Sequence, residues 1–98
     1  MKSTELGREV ARRIKKDLEA AFPSTQFIVN TSAYAGGDTV RVKYNGGPSR
    51  DEVEKIAYRY QKGRWSELTD SYVEDNVREG MPQVRFIFIL RNSQIGLL

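Results

Sequence analysis

The sequence predicts an α+β fold: a two-layer sandwich in the order α-β-β-α-β, with two helices packed on one face of a mainly antiparallel sheet. Three observations predict it. Two segments repeat apolar residues at helical spacing. The stretch between them alternates in polarity around glycine pairs, and a β-branched and aromatic run lies near the end of the chain. A further strand is expected if Ser71 to Val73 pairs, giving α-β-β-α-β-β.

The first helix is expected from about Ser3 to Phe22. Leu6, Val10, Ile14, Leu18 and Phe22 recur every four residues, with Ala11 and Ala21 beside them, and form one apolar stripe. Glu9 and Arg13 stand at i,i+4 in the favoured order. Arg8, Arg12, Lys15 and Lys16 lie off the stripe, among Glu5 and Glu19. That mixture reads as a solvated face, with an anion-binding ridge as the alternative. Pro23 ends the helix because the residue before a proline is pushed out of the α region.

The hairpin comes next. Phe27, Val29 and Thr31 alternate with Gln26, Ile28, Asn30 and Ser32, and Val40, Val42 and Tyr44 alternate with Thr39, Arg41 and Lys43. Successive strand side chains point to opposite faces, so one face is apolar and the other mainly polar. Ala35-Gly36-Gly37-Asp38 reads as a four-residue connection, glycine supplying the positive φ that such turns need. Asn45-Gly46-Gly47-Pro48 stops the second strand, because proline cannot donate to the ladder.

Ser49 opens the second helix with a capping box: its hydroxyl accepts from the Glu52 amide while the Glu52 carboxylate reaches back. Val53, Ile56, Ala57 and Tyr60 form its buried stripe, and Gly63 after Lys62 reads as its C-terminal cap. Trp65 and Leu68 are expected to anchor a short turn or helix on the core. A polar loop through Asp75, Asn76, Arg78 and Glu79 leads to the turn signal Gly80-Met81-Pro82. Val84 to Leu90 reads as a strand, and its apolar run from Phe86 predicts burial on both faces and a central place in the sheet. Ile95, Leu97 and Leu98 follow in a tail.

Ninety-eight residues fit a single domain over 1–98, large enough for one core without metal or disulfide staples. The chain has neither cysteine nor histidine. Disulfides, thiol catalysis, Cys/His zinc sites and His-based triads are therefore excluded. No apolar run approaches a membrane span, and Met1 to Glu5 lacks the apolar core of a signal peptide. The expectation is a soluble, cytoplasmic protein with no membrane contact and no cofactor. A net charge of +3 is mild and permits nucleic-acid or acidic-protein partners without singling out either.

Ser32-Ala33-Tyr34-Ala35-Gly36-Gly37, Val40-Arg41-Val42 and Asn45-Gly46-Gly47-Pro48-Ser49 open the resemblance. Tyr60, Gly63, Trp65, Asp70-Ser71-Tyr72 and a closing Val84-Arg85-Phe86 with Arg91 continue it. Over roughly Leu6 to Arg91 the chain resembles the large polyvalent protein associated domain, number twenty-nine of its series. Where that pattern often has Phe-Asp-Gly-Met, this chain has Trp65-Ser66-Glu67-Leu68. The resemblance implies a small protein of a phage or conjugative element, in a setting where proteins often blunt host defence. It implies no catalytic residues.

Two acidic clusters invite a catalytic reading: Asp38 with Arg41, and Asp70 with Tyr72 and Glu74. Turn chemistry accounts better for Asp38, since Asp hydrogen-bonds its own backbone in turns; Asp70 reads as a cap or loop residue, and no enzyme activity is expected. Neither glycine pair carries a phosphate-loop lysine or a dinucleotide fingerprint, and the scattered carboxylates match no metal loop. Binding is the expected function. The candidate residues are Tyr34, Arg41, Lys43, Lys62, Arg64 and Arg85. A host protein is the first expected partner, docking on an uncovered face with Ile28, Ile87 and Ile89 bordered by Arg41, Lys43 and Arg85. The blander alternative is that the tail or a second copy covers that face, and edge-strand pairing by the hairpin is another route to a partner. Nucleic acid on the basic sheet face is the alternative partner, although the aromatic signature of RNA-binding sheets is absent.

Overall fold

The computed structural model describes residues 5–34 and 37–92. The expected helix start at Ser3, the Ala35-Gly36 portion of the hairpin turn and the tail residues Ile95, Leu97 and Leu98 lie outside the described residues. The chain is α+β. Helix α1 (Glu5–Ala21) leads into β1 (Ile28–Tyr34) and β2 (Gly37–Asn45). Helix α2 (Arg50–Ala57) continues as one 3₁₀ turn over Tyr58–Tyr60, and β3 (Arg64–Ser66), β4 (Ser71–Val73) and β5 (Phe86–Asn92) follow.

The strands form two sheets, one ordered β1-β2-β5 and the other a β3-β4 hairpin. β1 and β2 are antiparallel, with Ile28 opposite Lys43, Asn30 opposite Arg41 and Tyr34 opposite Gly37. Gly37 and Asp38 therefore belong to β2, so the connection is shorter than the four residues expected. β5 pairs with β2 in parallel, setting Arg41 beside Phe88 and Lys43 beside Leu90. The central strand is β2, not β5. A parallel partner needs a long crossover, and α2 with the β3-β4 hairpin supplies it.

The core lies between the helices and one face of the larger sheet. Val10, Ile14 and Leu18 of α1 and Val53 and Ala57 of α2 are buried with Val40, Val42 and Tyr44 of β2 and Ile87 and Ile89 of β5. Leu6 departs from its stripe and is largely exposed, while Phe22 packs only partly against the core. The capping box of α2 forms as expected: the Glu52 amide donates to Ser49 Oγ at 3.2 Å and the Ser49 amide to Glu52 Oε1 at 3.0 Å. Gly46 and Gly47 take positive φ where β2 stops. Gly80 does the same in its turn.

The segment after α2 differs from expectation. Trp65 is not a core anchor: it sits in β3, paired with Tyr72 of β4 and half exposed, and Leu68 projects from the turn between them. Gly63 is not a helix cap, since α2 ends six residues earlier at Ala57. It is a close-approach glycine, where a Cβ would fall 2.0 Å from the Val73 carbonyl oxygen. The polar loop is stitched down by side-chain amides. Asn76 Nδ2 donates to the Tyr58 and Gln61 carbonyls, and Gln83 Nε2 donates to those of Arg59 and Asn76. Gln61 Oε1 accepts from the Ile87 amide at 2.6 Å and so ties this region to β5.

Candidate functional site

The face of the larger sheet turned away from the helices is built by strand alternation. Because Val40 and Val42 point into the core, Arg41 and Lys43 must point out. Register then assigns their neighbours. One transverse row reads Ile28–Lys43–Leu90, and the next reads Asn30–Arg41–Phe88. Each row places a cation on the middle strand between side chains of the two outer strands, about 4.8 Å away on either side. Ile28 is 54% exposed, Phe88 46% and Leu90 50%. A third row, Ser32–Thr39–Phe86, is closed: Thr39 is buried and Phe86 carries the Tyr72 ring edge-on at 5.2 Å.

Ile87 and Ile89, expected on the open face, lie in the core at 2% and 3% exposure. Phe88 and Leu90 take the place foreseen for them. Parallel pairing to β2 fixes the phase of β5, and a run in which both phases are apolar does not reveal it. The strand is consequently not buried on both faces.

The described rows contain no acidic side chain, and among the described residues neither Arg41 nor Lys43 enters an ion pair. At the Ile28–Lys43–Leu90 end, a cleft of about 490 Å³ is lined by those three residues with Asn45 and Asn92. At the other end Arg85 lays its guanidinium 4.6 Å from the Tyr72 ring centre and 5.7 Å from that of Phe86, a cation–π arrangement. Tyr72 donates to the Arg85 carbonyl oxygen at 2.5 Å. Burial pushes the Tyr72 phenol above its ordinary pKa, and the charge of Arg85 opposes that rise. Phe86 and Phe88 are stacked, with centres 6.0 Å apart.

Of the six sequence candidates, Arg41 and Lys43 come together on this face and Arg85 borders it. Lys62 lines a cleft with Arg85, but Lys62 and Arg64 do not join Arg41 and Lys43. They belong to the β3-β4 side and pair with acids, Lys62 with Glu74 at 3.6 Å and Arg64 with Asp75 at 2.7 Å. Of Tyr34 only the backbone is described, and its side chain lies outside the described residues. On α1, Glu9 holds both Arg12 and Arg13, so Arg12 of the basic ridge is paired within its own helix. Those two guanidinium groups hold the Glu9 carboxyl below its usual range.

The acidic clusters do not assemble as the sequence groups them; Asp38, Tyr72 and Glu74 instead line one cleft of about 270 Å³ with Lys62 and Arg85. Asp38 and Arg41 have opposite phase on β2, and Asp70 is an exposed turn residue in the left-handed region with φ of 52°. No group of three acidic side chains among the described residues could hold a metal ion. No helix among them is long and apolar enough to cross a membrane.

The family described as Large polyvalent protein associated domain 29 matches residues 6–92, nearly the whole chain. The chain belongs to this family. Membership places this polyvalent protein associated domain among the proteins of phages and mobile elements. No curated protein and no solved structure matches the chain. The family match spans both helices and every strand of the open sheet face.

Proposed function

We propose that this domain is a non-enzymatic accessory module of a phage or other mobile element, which acts by docking the open sheet face on a host protein. The observation that carries the reading is one surface: Ile28, Phe88 and Leu90 stand about half exposed around two cations that have no ion-pair partner among the described residues. Large apolar side chains left exposed together in one patch mark a protein contact, and here two cations stand among them. In a mobile element, occupying a host surface suits a counter-defence inhibitor, and this is the role we assign to the contact.

Site-specific photo-crosslinking tests the reading. A crosslinking residue at position 88 in host cells should capture a defined protein, whereas one at Glu19 on the far side of α1 should not. The capture should disappear when Ile28→Glu and Leu90→Glu are added. Identical crosslinks from both positions would refute it.

A second reading has one observation in its favour. Phe88 stacks on Phe86 beside Arg41, which offers a base-stacking ring next to a phosphate-binding cation. Under this reading the partner is DNA or RNA, and a gel shift would weaken steeply with salt and with Arg41→Ala and Lys43→Ala.

A further inference from the structure

We infer that the open sheet face recognises an acidic amphipathic segment of a partner protein: two or three large aliphatic or aromatic side chains interleaved with Asp or Glu. This rests on the protein-docking reading and adds the chemistry of the partner.

The inference follows from where the charges sit. In both open rows the cation occupies the middle strand: Lys43 lies between the apolar Ile28 and Leu90, and Arg41 lies between Asn30 and the apolar Phe88. A partner that covers the apolar groups must also cover the cations. Their ammonium and guanidinium groups then lose water, and a burial that leaves a charge unpaired is strongly unfavourable. No carboxylate within the described rows can compensate, so the partner has to bring its own. Ile28 and Leu90 stand two strand spacings apart, about 10 Å, and Phe88 lies roughly 7 Å along β5 from Leu90. Apolar side chains at that spacing with carboxylates between them match this layout, and the cleft beside Ile28 and Leu90 can accept one of them.

Two other occupants fit less well. A second copy docking face to face would bring two Arg41-Lys43 pairs together, and like charges oppose that contact. A nucleic acid would neutralise the cations, but Phe88 is the one aromatic ring exposed in the two open rows. Ile28 and Leu90, which offer no stacking surface, would stay uncovered.

A displayed random-peptide library selected on the purified protein tests the inference. Selected peptides should be rich in Asp and Glu and carry two or three large apolar residues. The double variant Arg41→Glu/Lys43→Glu should lose them by roughly tenfold or more in affinity and should select Lys- and Arg-rich amphipathic peptides instead. Circular dichroism melts of each variant establish that the fold is kept. Neutral or basic peptides selected on the native face, displaced by Ile28→Glu and Leu90→Glu, would overturn the acidic assignment while leaving protein docking intact. Selection unaffected by any outer-face substitution would overturn both. Tighter, salt-sensitive binding of a single-stranded oligonucleotide in the same competition would also overturn both. Concentration-dependent self-association that is lost in Ile28→Glu or Leu90→Glu would overturn the foreign partner in favour of a second copy.

Discussion

Replacing Gly63 with alanine isolates one contact on which the hairpin depends. An alanine Cβ at this position would lie 2.0 Å from the Val73 carbonyl oxygen and 2.8 Å from the Glu74 Cα. Carbon and oxygen atoms not bonded to each other prefer roughly 3.3 Å or more, so the overlap exceeds about 1 Å. The clashing atoms are backbone and cannot rotate away. Relief requires β4 to move off Gly63, which strains the Arg64–Val73 pairing, the Asn76 amide bond to the Lys62 carbonyl and the seating of Tyr72 on Phe86. Forced overpacking of this kind costs about 3 kcal/mol. For a domain of this size that lowers Tm by about 12 to 24 °C. Urea unfolding followed by circular dichroism and by the fluorescence of Trp65, the single tryptophan, measures it. Gly80→Ala is the internal control. That glycine has φ of 77° with nothing within 4 Å of its virtual Cβ, so alanine there carries only the left-handed backbone penalty of about 1 kcal/mol. A Gly63→Ala protein no less stable than Gly80→Ala would refute the close-approach account.

Three further outcomes are expected. Ile87→Ala should destabilise by about 3 kcal/mol and Phe88→Ala by about 1 kcal/mol or less in the same urea assay, because their faces differ; equal losses would contradict the phase of β5. The Tyr60 hydroxyl donates to Asp17 Oδ2 at 2.5 Å, and burial, then this bond, push its pKa from 10.0 up to about 12. A raised folded pKa gives stability that is complete below pH 10 and lost as pH climbs toward 12, at most about 3 kcal/mol. Thermal melts from pH 9 to 12 should therefore fall more steeply for the native chain than for Tyr60→Phe. Asn76→Ala strips the side-chain donor from two carbonyls and should cost about 2 kcal/mol, with faster hydrogen exchange across residues 74–84 as the local sign.

The sequence by itself determined whatever depends on neighbours along the chain. The α1 stripe from Val10 to Leu18 is read from helical spacing, and the Ser49 capping box from two residues three apart. The β1-β2 alternation is just as legible, because one phase is apolar and the other polar. That contrast alone also places Arg41 and Lys43 outside. Tertiary structure decided the cases where local signals are degenerate or silent. In β5 both phases are apolar, so only its parallel pairing with β2 could send Ile87 and Ile89 inward and leave Phe88 and Leu90 on the surface. Gly63 reads as a cap along the chain because glycine serves helix ends and close approaches alike. Trp65 reads as core because its bulk says nothing about which partner it meets. Lys62 and Arg64 carry the same charge as Arg41 and Lys43, yet Glu74 and Asp75 arrive beside them only when the hairpin folds. Pattern along the chain gives a residue its phase within an element, but contact between elements distant in sequence gives that phase its surroundings.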